Sequence, residues 1–196
     1  MIDKAKLIST FAGMDESIDR PQTLCLIGAS AFIMLGLEAR QTADVDVWKP
    51  ASDVVDSVLE RAARTQGLGY NPTHLDPAPG YIQTVDAGIV QMPPFANGLW
   101  PNGEASRSLW KGDKLHIVCP PPAILVASKM VRATNVDMDD AAGLMLATAT
   151  PRAAVAAAAR SFPLQVRSTI RENLPLLDIL LPNARVPAKA RIQDQR

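Results

Sequence analysis

With 196 residues the chain has room for one domain, or for a compact catalytic domain with a helical appendage. Apolar residues make up 47% and aromatics 5%, so its core must be mainly aliphatic and alanine-rich. Twenty basic residues balance twenty acidic ones, which argues against the strong basic field that non-specific DNA binding needs.

The opening residues MIDKAKLIST carry charges where a signal peptide needs an apolar core. The longest apolar stretch, residues 24–37, is 14 residues long and contains two glycines. It is short of the ~20 residues a membrane helix needs. Cys25 and Cys119 both lie in apolar runs and form no Cys-x-x-Cys pair. Buried free thiols in a reducing cytoplasm are the expectation, with no membrane partner and no DNA partner.

In chain order, residues 2–12 suit a short amphipathic helix with Leu7, Ile8 and Phe11 on one side, and residues 13–21 a polar link. Residues 23–27 are apolar on both faces and read as a buried strand. Residues 30–37 read as a short helix that stops near Gly36. Residues 43–48 alternate, with Asp44 and Asp46 on one face and Val45 and Val47 on the other, as a strand requires. Pro50 and Ser52 open a helix that should run to about Gln66 and stop at Gly67.

Residues 68–80 are rich in glycine and proline and read as loop. Residues 81–92 suit a strand, or a hairpin bent near Asp86-Ala87-Gly88, and residues 93–103 are irregular. Arg107, Lys111 and Lys114 beside Trp110 suggest a modest basic loop, and residues 115–119 a strand closed by three prolines. Helices are expected over 124–132, 138–148 and 152–160, with one or two more in 162–181 and a basic, frayed tail from Pro182. The fold expected is α/β (α+β): a small mixed sheet flanked by helices over 1–119, a helical C-terminal region over 120–182, and a tail over 183–196.

The centre of this pattern is residues 23–48. Aspartates two apart on a strand point the same way, so Asp44 and Asp46 can hold one or two hard cations jointly. Gly28 allows close approach of backbone to a phosphate, and Ser30 sits in the first turn of a helix. Each signal is ordinary alone: a glycine often turns strand into helix, and Asp-x-Asp is commonly a solvated strand end. Their spacing across one helix gives the combination its weight. His74 and His116 have neither metal-ligand spacing nor a nucleophile partner, and Trp48, Trp100 and Trp110 are expected to pack.

Gly28-Ala29-Ser30-Ala31 followed by Arg40-Gln41-Thr42-Ala43-Asp44-Val45-Asp46 resembles the signature of the nucleotidyltransferase superfamily with the polymerase-β-like fold. Its spelling is similar to the minimal AbiEii-like toxin nucleotidyltransferases and related uncharacterised bacterial families. The resemblance implies Mg²⁺ (or Mn²⁺) on Asp44 and Asp46, with an NTP as substrate. It places Gly28, Ala29 and Ser30 against the triphosphate, with Arg40 and Thr42 bracing the loop and Arg40 within reach of a phosphate. Lys129, on a helix after the sheet, matches a phosphate-contacting lysine, with Asp137, Asp139 and Asp140 near the start of the following helix.

It also implies an acceptor hydroxyl on tRNA, protein or a small molecule, and a toxin role with a cognate antitoxin. The superfamily's third carboxylate has one counterpart here, Asp86, which serves as that acid or merely sits in an Asp-Ala-Gly turn. Two rival readings stand beside the enzyme: a catalytically degenerate nucleotide- or protein-binding module, and a helix-rich interaction protein.

Overall fold

The computed structural model describes residues 1–53, 55–73, 80–87 and 89–181. His74, Gly88 and the expected tail over 183–196 lie outside the described residues. The elements in order are α1 (Lys4–Ser17), β1 (Gln22–Ile27), α2 (Gly28–Met34), β2 (Asp44–Trp48), α3 (Asp56–Thr65), β3 (Gly69–Tyr70), β4 (Tyr81–Val85), β5 (Leu99–Trp100), β6 (Glu104–Ala105), β7 (Arg107–Lys111), β8 (Leu115–Cys119), α4 (Pro122–Lys129), α5 (Asn135–Thr148), α6 (Arg152–Ala159) and α7 (Leu164–Leu180). The fold is mixed α/β, as the sequence pattern implies.

The larger sheet has the order β3-β4-β2-β1-β8-β7, and β5 pairs with β6 in a separate two-stranded ladder. The central strand β1 runs antiparallel to β2 and parallel to β8, while β2 runs parallel to β4. A strand with neighbours on both edges and layers on both faces should be apolar throughout. Leu24, Cys25 and Leu26 are accordingly at most 1% exposed. Each such side chain contributes on the order of 1.5–3 kcal/mol by leaving water. Cys25 and Cys119 are free, buried thiols, and burial pushes the Cys25 thiol well above its ordinary value.

Several elements depart from the sequence pattern, each for a packing reason. Helix α1 runs through Gly13 to Ser17, because Leu7, Phe11 and Met14 form one buried stripe that continues past the glycine. Gly13 itself lies against the Gln66 side chain, where a Cβ would come within 2.3 Å of Oε1. The start of the expected helix over 50–66 is a 3₁₀ turn over Lys49–Ala51, and α3 begins at Asp56. Within the expected loop, Gly69–Tyr70 pairs with β4.

The expected basic loop is the hairpin β7–β8. Its turn is fixed from α1: the Asp15 carboxylate accepts the backbone N–H groups of Asp113, Lys114 and Leu115. Lys114 Nζ donates to the Ile18 carbonyl, so this cation is committed to structure. Trp48 and Trp100 are 2% exposed, and Trp110 packs its ring 6.1 Å from Phe11. His116 Nε2 is 3.0 Å from Ser108 Oγ across the hairpin. No single described helix is long and apolar enough to cross a membrane.

Candidate active site

The register of the sheet creates the site. Ile27 is paired with Asp46, so the chain leaves β1 at Gly28 directly beside that carboxylate. Gly28 turns the chain with φ +64°, a left-handed conformation that L side chains rarely adopt. A Cβ there would lie 2.5 Å from Asp46 Oδ2. Two independent constraints, backbone conformation and contact, therefore demand glycine. Beyond it α2 buries Ala31, Phe32 and Ile33 completely, which anchors the turn from below.

Asp44 and Asp46 project from the same face of β2 into a cavity of about 460 Å³. Gly28, Ala29, Arg40 and Thr42 line the same cavity, as does Lys129. Of the residues expected to meet the triphosphate, the structure thus brings five together and leaves Ser30 out. Ser30 is 1% exposed, and its hydroxyl donates 3.1 Å to the Ile27 carbonyl, closing the first turn of α2. Its side chain is spent on structure rather than presented to the cavity.

The two carboxylates differ in their surroundings. Thr42, tied to Ile2 by a pair of backbone hydrogen bonds, donates its hydroxyl to Asp44 Oδ1 at 2.5 Å. Asp46 accepts no side-chain donor among the described residues. Burial and then the charge of Asp44 push its pKa up to about 7, against the opposing pull of Lys129. Tyr81, opposite Asp44 on β4, lies beside the pair; burial and the charges of Asp44 and Asp46 raise its pKa.

The facing wall is built by α4 and α5. Lys129 Nζ lies 2.9 Å from Asp140 Oδ2 and 3.2 Å from Asp137 Oδ1, and 5.0 Å from the centre of the Phe32 ring. Arg132 grips Asp137 with Nε at 2.6 Å and Nη2 at 2.7 Å, a bidentate arrangement suited to a planar guanidinium. Arg40 Nε reaches Asp140 Oδ1 at 3.0 Å, an ion pair without hydrogen-bond alignment. Asp137 also caps α5 with Thr134 in a reciprocal box. Burial would raise the Asp137 pKa, but hydrogen bonds from Arg132 and Thr134 and the Lys129 charge hold it well below the usual carboxylate range.

Three cations against two acids leave this wall one positive charge in excess, while the β2 wall carries two carboxylates. Of the aspartates expected to favour a helix N-terminus or to pair with Lys129 or Arg132, those at positions 137 and 140 are 1% and 4% exposed and hold the cations in place. Asp139 is exposed.

The expected third acid is not in the cavity. Asp86 follows β4, is exposed, and lies outside the residues that line the space. Its backbone carbonyl accepts Ile89 N–H, which makes the turn that the Asp-Ala-Gly spelling suggests. The positions on β4 beside Asp44 and Asp46 are held by Tyr81 and Gln83, neither of them acidic. Among the described residues no group of three His, Cys, Asp or Glu gathers around one metal position.

Residues 81–92 match the segment expected to carry the third acid, and there Tyr81 sits beside Asp44 while Ile89, Val90, Gln91 and Met92 line the cavity. The place of Tyr81 depends on strand register and that of the others on where the chain travels after a turn.

The family whose description is "Nucleotidyltransferase of unknown function (DUF6036)" has a model that matches residues 5–150. No curated protein and no solved structure matches the chain.

Proposed function

Because the chain belongs to this nucleotidyltransferase family, we propose that it transfers a nucleoside monophosphate from an NTP to a hydroxyl acceptor, with Mg²⁺ (or Mn²⁺) held by Asp44 and Asp46. The observation that carries the reading is the uncompensated acid pair at the mouth of the Gly28 turn. Asp46 is half-buried at the cavity wall beside a second carboxylate, and desolvation and then the Asp44 charge push its pKa up to about 7. The nearest lysine is already shared between Asp137 and Asp140. Such a pair fits a hard divalent cation whose remaining ligands are substrate phosphates and water. A bound divalent ion would supply charge neutralisation at the phosphates.

The chain's own part follows from the two walls. Gly28 and Ala29 allow the backbone to come close to phosphate. Lys129, Arg132 and Arg40, held by buried aspartates, present positive charge opposite the acid pair. They meet the charge that develops on non-bridging and leaving oxygens without first having to reorganise. In the reaction, the acceptor oxygen bonds to the α-phosphorus and the bond from it to the α–β bridging oxygen breaks. Pyrophosphate leaves with the electron pair, and the hydroxyl proton passes to water. The spelling around Arg40 and Thr42 keeps an AbiEii-like toxin role, with an RNA or protein acceptor and a cognate antitoxin, as the finer reading. The neutral overall charge disfavours a long nucleic-acid footprint.

One observation favours a second reading. With Asp86 outside the cavity and Tyr81 and Gln83 beside the acid pair, the chain could bind Mg²⁺–NTP without transferring it. Incubating the protein with Mg²⁺ and α-phosphate-labelled NTPs, together with total cell RNA, total protein or hydroxylated small molecules, separates the two. Label covalently attached to one acceptor class, and lost in Asp44→Asn, is the expected outcome. Tight NTP binding with no label on any acceptor would establish the binding module instead.

A further inference from the structure

The charged lining of the cavity occupies only part of it. Beyond the turn at Asp86, residues 89–92 run along the cavity as a strap without regular secondary structure, and all four line it. Met92 is 5% exposed and Val90 packs against the core, which pins the strap. Ile89 is 68% exposed yet lines the cavity, an apolar side chain held at its rim. Val131, next to the cationic wall, contributes a further apolar lining group.

Gln91 is the strap's only polar side chain, and its amide makes no hydrogen bond among the described residues. The strap carries no charge. It is thus unsuited to phosphate, but it matches a flat heterocycle: aliphatic groups for the ring faces and one amide for a polar edge. A cavity of about 460 Å³ has room for base and phosphates together.

We propose that residues 89–92 form the nucleobase subsite of this cavity, with Gln91 as the residue that selects the base. The inference rests on the NTP reading above and extends it from phosphates to base. A carboxamide presents one donor and one acceptor side by side, so it can bind two adjacent edge atoms of a base at once. A base that offers the complementary pair in the bound pose is then favoured by about tenfold or more.

The test measures binding of the four ribonucleoside triphosphates, and of inorganic tripolyphosphate, each with Mg²⁺, to the full chain and to Gln91→Leu and Gln91→Glu. Thermal melts of each variant confirm folding. The unaltered protein is expected to prefer one base by about tenfold or more. Gln91→Leu should level that preference, and Gln91→Glu, which turns the donor into an acceptor, should reorder it. Tripolyphosphate should bind all three proteins alike. Equal affinity for all four bases in the unaltered protein, or a ranking unchanged in both variants, overturns the base subsite while the phosphate cleft stands. Failure of tripolyphosphate to bind the unaltered protein overturns the phosphate cleft, and this inference with it.

Discussion

Asp46→Asn should make the metal-free protein more stable at pH 8 while strongly reducing nucleotidyl transfer. Burial and the Asp44 charge raise the Asp46 pKa from its ordinary 3.8 to about 7. A carboxyl whose pKa is raised by folding favours the folded state most when protonated. Its contribution is fully present below about pH 3.8 and is lost as pH rises through about 7. At ~1.4 kcal/mol per pH unit, that interval corresponds to about 4 kcal/mol as an upper bound.

The amide cannot ionise, so Asp46→Asn is expected to gain on the order of 2–4 kcal/mol at pH 8 and little at pH 4. Urea unfolding of both proteins at the two pH values, without divalent metal, measures it. Adding Mg²⁺ and NTP should reverse the order, since a ligand that binds only the folded aspartate form stabilises that form alone. If Asp46 holds the metal as proposed, transfer should fall by about 10²- to 10³-fold. Equal stability of the two proteins at pH 8 would show that Asp46 carries no such burden.

The second large effect lies on the opposite wall. Asp137→Ala should cost about 3 kcal/mol of folding stability, because one carboxylate serves three partners. It accepts from Arg132 and from Lys129, and it closes the capping box with Thr134. The helix cap alone contributes ~1 kcal/mol. Removing one partner of a buried pair typically costs ~3–5 kcal/mol. The lower end applies here, because Lys129 keeps Asp140 and the 72%-exposed Arg132 side chain can turn to water. Asp139→Ala, two residues away and exposed, should stay within about 0.5 kcal/mol. Chemical denaturation of the two variants decides the matter; equal effects would show that the buried network contributes nothing.

How much of this could be read from residues alone differs along the chain. The unit β1–α2–β2 was legible because three signals coincide: an apolar run buried on both faces, a glycine at the turn and an alternating strand carrying two acids. Gly28 was legible as a turn; that it also makes room for Asp46 Oδ2 follows only from the Ile27–Asp46 register. Register also hid Tyr81, whose neighbour Asp44 lies 37 positions earlier in the chain.

Lys129 was legible as a candidate through the family resemblance, but its bonds to Asp137 and Asp140 come from the way α4 and α5 fold together. Gly13 misled, because a helix whose next buried residue is Met14 has more to gain by continuing than by stopping. The β7 strand was missed because its edge position leaves Arg107 and Lys111 exposed, so its pattern reads as a polar loop. Ser30 shows the reverse: a hydroxyl expected to meet the triphosphate donates to the Ile27 carbonyl and closes the first turn of α2.

On the proposed function, Asp44 and Asp46 jointly hold a divalent ion that carries an NTP in this cavity. Calorimetric titration of a non-hydrolysable NTP analogue into the protein, with Mg²⁺ and then with excess chelator, tests it directly. Binding that requires Mg²⁺ and disappears in both Asp44→Asn and Asp46→Asn, with Asp139→Asn unaffected, is the expected result. Binding that persists in the chelator, or survives both substitutions in folded protein, would contradict it.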